Sequence, residues 1–295
     1  MIDPRWLRTF HEVCETGSIT RAAQALNISQ PSVSSAIAAL EGSLGAVLFQ
    51  RTRAGIVLTP AGEALRAKAS MLDHLLRDAA EEIAAVREGI VGPLRVGGTP
   101  GALVSLLPAA IARLEAAHPR LALNVLERAD HELTAMLRGG RIELAFVTTG
   151  IDQPPPDIAE RTIARDPFAL IVGPANAGLG ETISLRAAEG LRWVLPEAQG
   201  AFRRQVDALF LAAGVQVPRD VIRCDSLLTT KAIVRTSDRV TILPVTVPAA
   251  ELAVGALRAI RLAEAMFERQ VGVRWLAGAR ASALAEKLLA ALDIG

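Results

Sequence analysis

Cysteine and histidine are scarce in this sequence. The 295 residues contain two cysteines, Cys14 and Cys224, which lie far apart and belong to no Cys-x-x-Cys pair. We therefore predict neither a disulfide framework nor a cysteine metal site. The four histidines are also scattered and form no cluster of metal ligands: His11, His74, His118 and His131. The composition gives no reason to expect a bound metal.

Motifs of catalysis are lacking too. There is no Gly-x-Ser-x-Gly nucleophile elbow, no His-Glu-x-x-His zinc motif and no Gly-x-x-x-x-Gly-Lys phosphate loop. The glycine-rich stretch at residues 97–101 lacks both the lysine of a phosphate loop and the spacing of a dinucleotide-binding loop. We predict no catalytic residue, no cofactor and no enzymatic activity.

Lysine is rare as well, and the net charge is only +1. The lysines are Lys68, Lys231 and Lys287, so nearly all basic side chains are arginines, which suit phosphate and guanine contacts. A net charge so close to zero neither requires nor excludes a nucleic-acid partner.

Long apolar runs and a charged-then-apolar signal segment are lacking, so we expect a cytoplasmic protein without a membrane span.

The chain does contain 51% hydrophobic residues, which is enough for real cores, and its length suits two or three domains. Three zones differ in their patterns. Short helices occupy residues 1–60, one long helix follows at 60–90, and strands alternate with helices over 91–295.

The first zone has the pattern of a winged helix-turn-helix. Apolar residues recur at helical spacing up to Gly17, which ends the first helix. Ser18 is placed to cap a second helix, and Pro31 suits the first turn of a third. Two short apolar runs, at residues 47–49 and 57–58, flank a basic segment and predict a hairpin with arginines at its tip.

The second zone is a helix with a heptad seam that begins at Thr59-Pro60. Apolar residues follow at alternating spacings of 4 and 3: Leu65, Ala69, Leu72, Leu76, Ala79, Ile83, Val86 and Ile90. Such a narrow stripe favours a partner helix. We predict a dimer interface at Leu65, Leu72, Leu76, Ile83 and Val86. Packing of the stripe within the same chain is the alternative.

The third zone alternates apolar strands with helices, which predicts a largely parallel α/β sheet. Strands are expected at residues 94–96, 121–126, 144–148, 169–172, 193–195, 221–224, 240–243, 259–262 and 271–276. Helices are expected at residues 103–117, 132–139, 202–213, 227–236 and 281–292. This zone is long enough for two lobes, and we expect a crossover between them near residues 164–168.

An ordered and nearly gapless series of motifs runs through the first two zones. It comprises Leu7-Arg8-Thr9-Phe10, Gly17-Ser18-Ile19-Thr20-Arg21-Ala22-Ala23, Leu26-Asn27-Ile28-Ser29-Gln30-Pro31-Ser32-Val33-Ser34, Ile37, Leu40-Glu41, Leu44-Gly45, Leu48-Phe49, Arg51 and Leu58-Thr59-Pro60-Ala61-Gly62. In these motifs the chain resembles the LysR-type transcriptional regulators. Looser similarity to the effector domain of that family continues through Leu106-Leu107-Pro108, His118-Pro119 and Leu243-Pro244.

The resemblance implies an α + α/β fold in three parts. These are a winged helix-turn-helix at residues 1–59, a linker and dimerisation helix at 60–90, and a two-lobed, periplasmic-binding-protein-like effector domain at 91–295. Lobe I would comprise 91–163 and 268–295, and lobe II 164–267. The resemblance also implies a homodimer, commonly a dimer of dimers, that binds and bends double-stranded promoter DNA, with RNA polymerase as a further partner. A small molecule between the lobes would alter that assembly.

DNA contacts are expected at the third helix and on the hairpin. Amides and hydroxyls at a helix N-terminus can pair with base edges or phosphates, and hairpin arginines can neutralise phosphates. We predict contacts from Thr20, Arg21, Gln30, Ser32, Ser34, Ser35, Arg51 and Arg53. Family members often carry glutamine and a basic residue where this chain has Ala36 and Ala38, which leaves base readout mainly to the amide and hydroxyl groups. A solvated helix cap and a solvated charged face are the alternatives.

Effector contacts are expected where strands of the third zone end. Thr99 and Pro100 stand at the start of a helix, where hydroxyls and N–H groups can bind an anion. Binding residues often follow strand ends in open α/β sheets. With the positions that the resemblance adds, we predict contacts at Thr99, Pro100, Arg128, Thr148, Thr149, Ala201, Phe202 and Ser226. Arg128 and Arg203 can supply positive charge, which favours a small carboxylate as the ligand.

Two other functions compete with a ligand-responsive regulator. A solute-binding protein for transport would explain the third zone, but it would lack an export signal and leave the first zone unexplained. An α/β enzyme would also have this kind of sheet, but it would need a nucleophile, metal or nucleotide motif that the sequence lacks. Binding to an operator-sized DNA fragment separates the regulator from both.

Overall fold

The computed structural model describes residues 2–52, 55–88, 91–197, 200–218, 220–264 and 268–292. Its contacts divide the chain into two compact units. The first comprises residues 1–95, 120–123 and 134–143, and the second comprises 96–119, 124–133 and 144–295. The domain boundaries predicted at 59/60 and 90/91 stay predictions.

The N-terminal segment folds as three helices and a two-stranded hairpin. The elements are α1 (Pro4–Thr16), α2 (Ile19–Leu26), α3 (Gln30–Leu44), β1 (Phe49–Thr52) and β2 (Gly55–Leu58), with β1 antiparallel to β2. Phe10, Val33 and Leu40 are fully buried between the helices, and the small side chains of Ala22 and Ala23 allow α2 to pack closely. The predicted winged helix-turn-helix is confirmed.

Local chemistry explains where these helices begin and end. The side chain of Ser18 accepts a hydrogen bond from the backbone N–H of Arg21 and caps α2. Asn27 ends α2 in the left-handed region, at φ 54°, which asparagine tolerates better than most residues. Ser29 caps α3, whose first turn contains Pro31.

The long helix α4 (Pro60–Glu88) begins against the hairpin. Thr59 caps it, since its hydroxyl accepts a hydrogen bond from the N–H of Gly62 and donates one to the carbonyl of Val47. A Cβ on Gly62 would lie 2.3 Å from the carbonyl oxygen of Leu48, so only glycine allows the first turn to approach so closely.

The seam of α4 has two different environments. Leu65 and Ala69 pack in the core of the N-terminal helices, so this end of the seam is used within the chain. Leu72 is half-buried, whereas Leu76 and Ile83 are exposed. The side chain of Val86 lies outside the described residues, as does Ile90 altogether.

The rest of the chain forms one extended sheet with helices on its faces. Its strands are β3 (Val91–Gly98), β4 (Leu121–Glu127), β5 (Leu144–Thr149), β6 (Ile158–Val172), β7 (Thr182–Ile183), β8 (Arg192–Leu195), β9 (Val221–Arg223), β10 (Arg239–Pro244), β11 (Arg258–Leu262) and β12 (Glu268–Leu276). Its helices are α5 (Pro100–Ala117), α6 (Asp130–Arg138), α7 (Ala201–Ala212), α8 (Leu227–Thr236), α9 (Ala249–Ala253) and α10 (Ala283–Leu292). The strand order is β4-β3-β5-β12-β6-β10-β8-β9, and β11 joins β6 to β7.

The sheet is less parallel than predicted. Neighbouring strands β3 and β5 are parallel, as are β10 and β8, but β6 and β12 run antiparallel to their neighbours. The first part of β6, up to Pro167, pairs with β12, and the part from Phe168 onwards pairs with β10 and β11. The expected crossover near residues 164–168 is thus the middle of one long strand. We call the first part of β6 with β3, β4, β5 and β12 lobe I, and the second part of β6 with β7 to β11 lobe II, each with the helices that follow its strands; the lobe boundaries predicted from the sequence stay predictions.

Both faces of the lobe II sheet are covered. Leu170 and Val172 pack on one side with Trp193 and the helix α7, whereas Ala169 and Ile171 pack on the other side with α8. This alternation follows the two-residue period of a strand. In lobe I, the helix α5 is long and apolar enough to cross a membrane by length and composition alone, and it buries Leu103, Leu106 and other residues in the protein.

Candidate DNA-binding surface and effector cavity

The start of α3 presents polar groups to solvent. Gln30, Ser32 and Ser35 are exposed, and Ser34 is half-buried. The hydroxyl of Ser32 lies 2.8 Å from that of Ser29, which also accepts a hydrogen bond from the backbone N–H of Ser32. The amide of Gln30 and the hydroxyl of Ser35 therefore have the freedom that contact with a base edge or phosphate requires.

The remaining predicted DNA contacts lie on α2 and the hairpin. Thr20 and Arg21 are exposed on the first turn of α2. Arg51 lies in β1, where its backbone pairs with Ile56 of β2. Arg53 lies outside the described residues. The helix-turn-helix brings Thr20, Arg21 and the start of α3 together within one small domain.

The second compact unit contains a cavity of about 430 Å³. Six of the eight predicted effector residues line it: Thr99, Pro100, Arg128, Thr148, Ala201 and Phe202. They come from both lobes, since α5, β5 and the segment after β4 belong to lobe I, and α7 belongs to lobe II. Apolar side chains from β8, α8, β10 and the segment after β10 complete the wall: Leu195, Leu227, Leu243 and Val247.

Thr149 and Ser226 are not among the residues that line this cavity. The hydroxyl of Thr149 lies 2.7 Å from that of Thr162 in the neighbouring part of the sheet. The hydroxyl of Ser226 accepts hydrogen bonds from the N–H and the hydroxyl of Thr229 and caps α8. Both side chains have a structural partner, and their role in effector binding stays a prediction.

The two arginines expected to hold a carboxylate differ in their freedom. Arg128 is 44% exposed and lies 3.9 Å from Glu132, while its Nη1 donates to the carbonyl of Glu127. Arg203 donates to Asp207 at 2.8 Å and to the carbonyl of Pro196 at 2.9 Å, and it is 19% exposed. Arg128 is the better placed to turn toward an anion.

Comparison with known proteins identifies the whole architecture. A family model of the LysR substrate binding domain matches residues 87–293, and a model of the bacterial regulatory helix-turn-helix of the lysR family matches residues 4–63. The chain belongs to the LysR family of transcriptional regulators. It is therefore a DNA-binding transcription regulator with a substrate-binding domain and not an enzyme.

Relatives of this LysR regulator match it over nearly its full length. A probable hydrogen peroxide-inducible genes activator of Streptomyces viridosporus is 32% identical and aligned over 97% of this chain and 92% of its own. A full-length OxyR variant of Pseudomonas aeruginosa has a TM-score of 0.71, with 23% identity over 100% of this chain and 95% of its own. CbnR in complex with its target DNA has a TM-score of 0.70, with 23% identity over 98% of both chains. These structures share the fold.

The LysR effector domain also contains a buried ion pair that was not predicted from sequence. Arg269, which lines the cavity, donates to Asp166 at 2.9 Å, and these side chains are 3% and 1% exposed. Arg269 also donates to Ser105, and Thr246 donates to Asp166 through its hydroxyl and its N–H. Burial lowers the pKa of the Arg269 guanidinium, and Asp166 opposes that shift.

This network joins α5, β6, β12 and the segment after β10 at the point where the lobes meet. Its members are far apart in sequence, since Asp166 and Arg269 are separated by 103 positions. Both strands carry other charged residues as well, such as Arg165 in β6 and Arg274 in β12, so no local pattern in the sequence singled out this pair. Among the described residues, no group of histidine, cysteine and carboxylate side chains could hold a metal ion.

Proposed function

We propose that this LysR regulator binds a specific operator through α3 and changes its DNA complex when a small molecule occupies the effector cavity. The exposed amide and hydroxyls at the start of α3 support docking in the major groove. The exposed Arg21 on α2 supports a phosphate contact beside it. Arg51 and Arg53 are proposed to contact DNA from the hairpin.

We propose a homodimer formed by the distal part of α4. Leu75, Leu76 and Ile83 are more than half exposed in the single chain, which is costly for leucine and isoleucine unless a partner covers them. Leu65 packs against the core of the N-terminal helices, so in the proposed dimer it lies at the end of the interface and not in its centre. A two-fold dimer reads a roughly palindromic operator. A dimer of dimers, contact with RNA polymerase and a cytoplasmic location complete the proposal.

The effector is proposed to be a small carboxylate. The observation that carries this proposal is the cavity of about 430 Å³, which combines an apolar wall with threonine hydroxyls and Arg128. A cavity with a few polar groups on an apolar wall is typical of a small-molecule site.

Footprinting on DNA upstream of the gene tests the proposal, at a salt concentration of about 0.15 M. We expect a protected, roughly palindromic site. Gln30→Ala should weaken binding to that site by about 1–3 kcal/mol, because a base contact is lost. Gln153→Ala is the matched control, since Gln153 is an exposed glutamine outside the helix-turn-helix.

The salt dependence gives a second readout. Arg21→Ala should reduce the slope of log affinity against log salt by about 1, as expected for one lost phosphate contact. Equal, strongly salt-dependent binding to all sequences, with no effect of Gln30→Ala, would contradict the proposed sequence-specific regulator.

A further inference from the structure

Four threonine hydroxyls line the effector cavity, two from each lobe: Thr99 and Thr148 from lobe I, and Thr230 and Thr241 from lobe II. Thr148 is 8% exposed, Thr230 4% and Thr241 1%. None of the four hydroxyls has a hydrogen-bond partner among the described residues, although Thr99 stands at a helix N-cap position. Other buried threonines are paired, as in the bond between Thr149 and Thr162.

The two lobe II threonines stand where apolar residues would pack well. Along β10, Val240 and Ile242 face one core, so Thr241 and Leu243 share the opposite face, which packs against α8. Thr230 lies on α8 one turn before Val234, which is fully buried in that same core. Valine has the shape of threonine without its hydroxyl. The hydroxyls of Thr230 and Thr241 have no protein partner among the described residues, and they are not sealed off from the cavity. A ligand that fills the cavity displaces their water and must therefore offer them hydrogen bonds in return.

The charges of the cavity differ between its two walls. The lobe I wall carries Arg128, which is 44% exposed, beside the first turn of α5, and also the carboxylates Glu127, Asp130 and Glu132. Asp130 is paired with Arg274, and Glu132 lies 3.9 Å from Arg128, so an anionic ligand would compete with Glu132 for Arg128 and gain from the helix N-terminus.

On the lobe II wall, Arg203 is held by Asp207 and the carbonyl of Pro196. Among the described residues of that wall, a ligand can form hydrogen bonds with hydroxyl groups. The cation there, Arg203, is already engaged by its protein partners.

We propose that Thr230 and Thr241 form a subsite for a neutral hydroxyl or carbonyl group of the effector, while its single carboxylate binds near Thr99, Thr148 and Arg128. The effector is then a hydroxy or oxo acid with one negative charge and an apolar body, and not a dicarboxylate. This inference rests on the proposed role of the cavity as the effector site.

Matched probes test this specificity in the full-length protein. One set is hexanoate, 6-hydroxyhexanoate and adipate, and a second is 3-phenylpropanoate, its 4-hydroxyphenyl analogue and its 4-carboxyphenyl analogue. Calorimetry should show that, in at least one set, the hydroxylated acid binds about fivefold to tenfold more tightly than the unsubstituted acid, as one added hydrogen bond provides. The dicarboxylate should bind less tightly than the hydroxylated acid, because its second charge is desolvated without a cation.

The Thr230→Val/Thr241→Val double variant should abolish the preference for the hydroxylated acid and leave the affinity for the unsubstituted acid within about twofold, since hydrophobic contacts are retained. Thr241→Val alone should leave the melting temperature of the ligand-free protein within about 2 °C, because its hydroxyl has no protein hydrogen bond to lose and the apolar contacts are retained. Thr149→Val is the control. It should lower the melting temperature, since it removes the 2.7 Å hydrogen bond to Thr162 and leaves that hydroxyl only its longer bond to Gln270, and it should keep the probe preference.

The outcomes separate this inference from the proposed function. A probe preference that survives in the double variant, a dicarboxylate that binds best, or no binding by any of the six probes overturns the inference. A footprint that is nevertheless protected leaves the proposed regulator standing. If the footprint is absent but the threonines decide the preference among probes, the subsite is supported and the operator proposal fails.

Discussion

The helix-turn-helix and the effector cavity differ in how their polar side chains are arranged. The groups at the start of α3 are close in sequence, exposed and solvated, as Gln30 and Ser35 show. Several polar groups of the cavity, such as Thr148, Thr241 and Arg269, are buried and come from distant segments. Substitution at the first surface should therefore change affinity for DNA with little effect on stability, whereas substitution in the second region should change stability itself.

The largest effect should come from breaking the buried ion pair. Asp166→Ala leaves Arg269 as an unpaired cation that is 3% exposed and also removes the acceptor of Thr246. We expect a loss of about 3–5 kcal/mol in the free energy of unfolding. Urea unfolding can be followed through Trp193 and Trp275 in a Trp6→Phe background, so that the fluorescence reports the effector domain.

An exposed ion pair provides the control for this variant. Asp238 lies 3.1 Å from Arg192, and both side chains are about half exposed. Asp238→Ala should shift the urea midpoint much less, because exposed pairs are screened by solvent. Equal shifts for the two variants would show that burial does not distinguish the cavity network from the surface.

Gly62→Ala should have an intermediate effect in the N-terminal unit. The added Cβ would lie 2.3 Å from the carbonyl oxygen of Leu48, so the first turn of α4 must move away from the hairpin. We expect a loss of about 1–3 kcal/mol in unfolding free energy, measured by circular dichroism in urea. Gly42→Ala is the matched control, since a Cβ there meets nothing within 4 Å and should stabilise α3 by about 0.5–1 kcal/mol.

The smallest effect concerns pH and a histidine on α4. Burial, followed by Arg77 and Arg95, lowers the pKa of His74 to about 4, while Asp73 opposes the shift. Arg77 also donates to Nδ1 of His74 at 3.0 Å, which requires that nitrogen to be unprotonated. Between pH 6.5 and about 4 the unfolded chain binds the proton more readily, so the stability contributed by neutral His74 is lost as the pH falls through this range.

His74→Gln should therefore reduce the slope of unfolding free energy against pH between 6.5 and about 4. Glutamine keeps a group that accepts a hydrogen bond but does not titrate. Carboxylates titrate in both proteins, so the difference between the two curves is the relevant quantity. Identical curves would contradict the shifted pKa.

Much of the fold could be predicted because the responsible patterns are local. Ser18, Ser29 and Pro31 set the ends of helices through contacts within one turn, and the two-residue alternation of β10 appears directly in the sequence. The long strand β6 was only half predicted, because its first part is polar and is held in the sheet by pairing with the distant β12.

The sequence by itself determined the helix-turn-helix, the start of α4 and six of the residues that line the cavity, since caps, periodicity and motifs are properties of neighbouring residues. The tertiary structure decided which hydroxyls have partners. Thr148 and Thr149 are adjacent in sequence, but the first lines the cavity and has no hydrogen-bond partner in the described part of the chain, whereas the second is bonded to Thr162. The physical reason is that hydrogen bonding in a sheet depends on the strand beside it, and successive side chains face opposite sides.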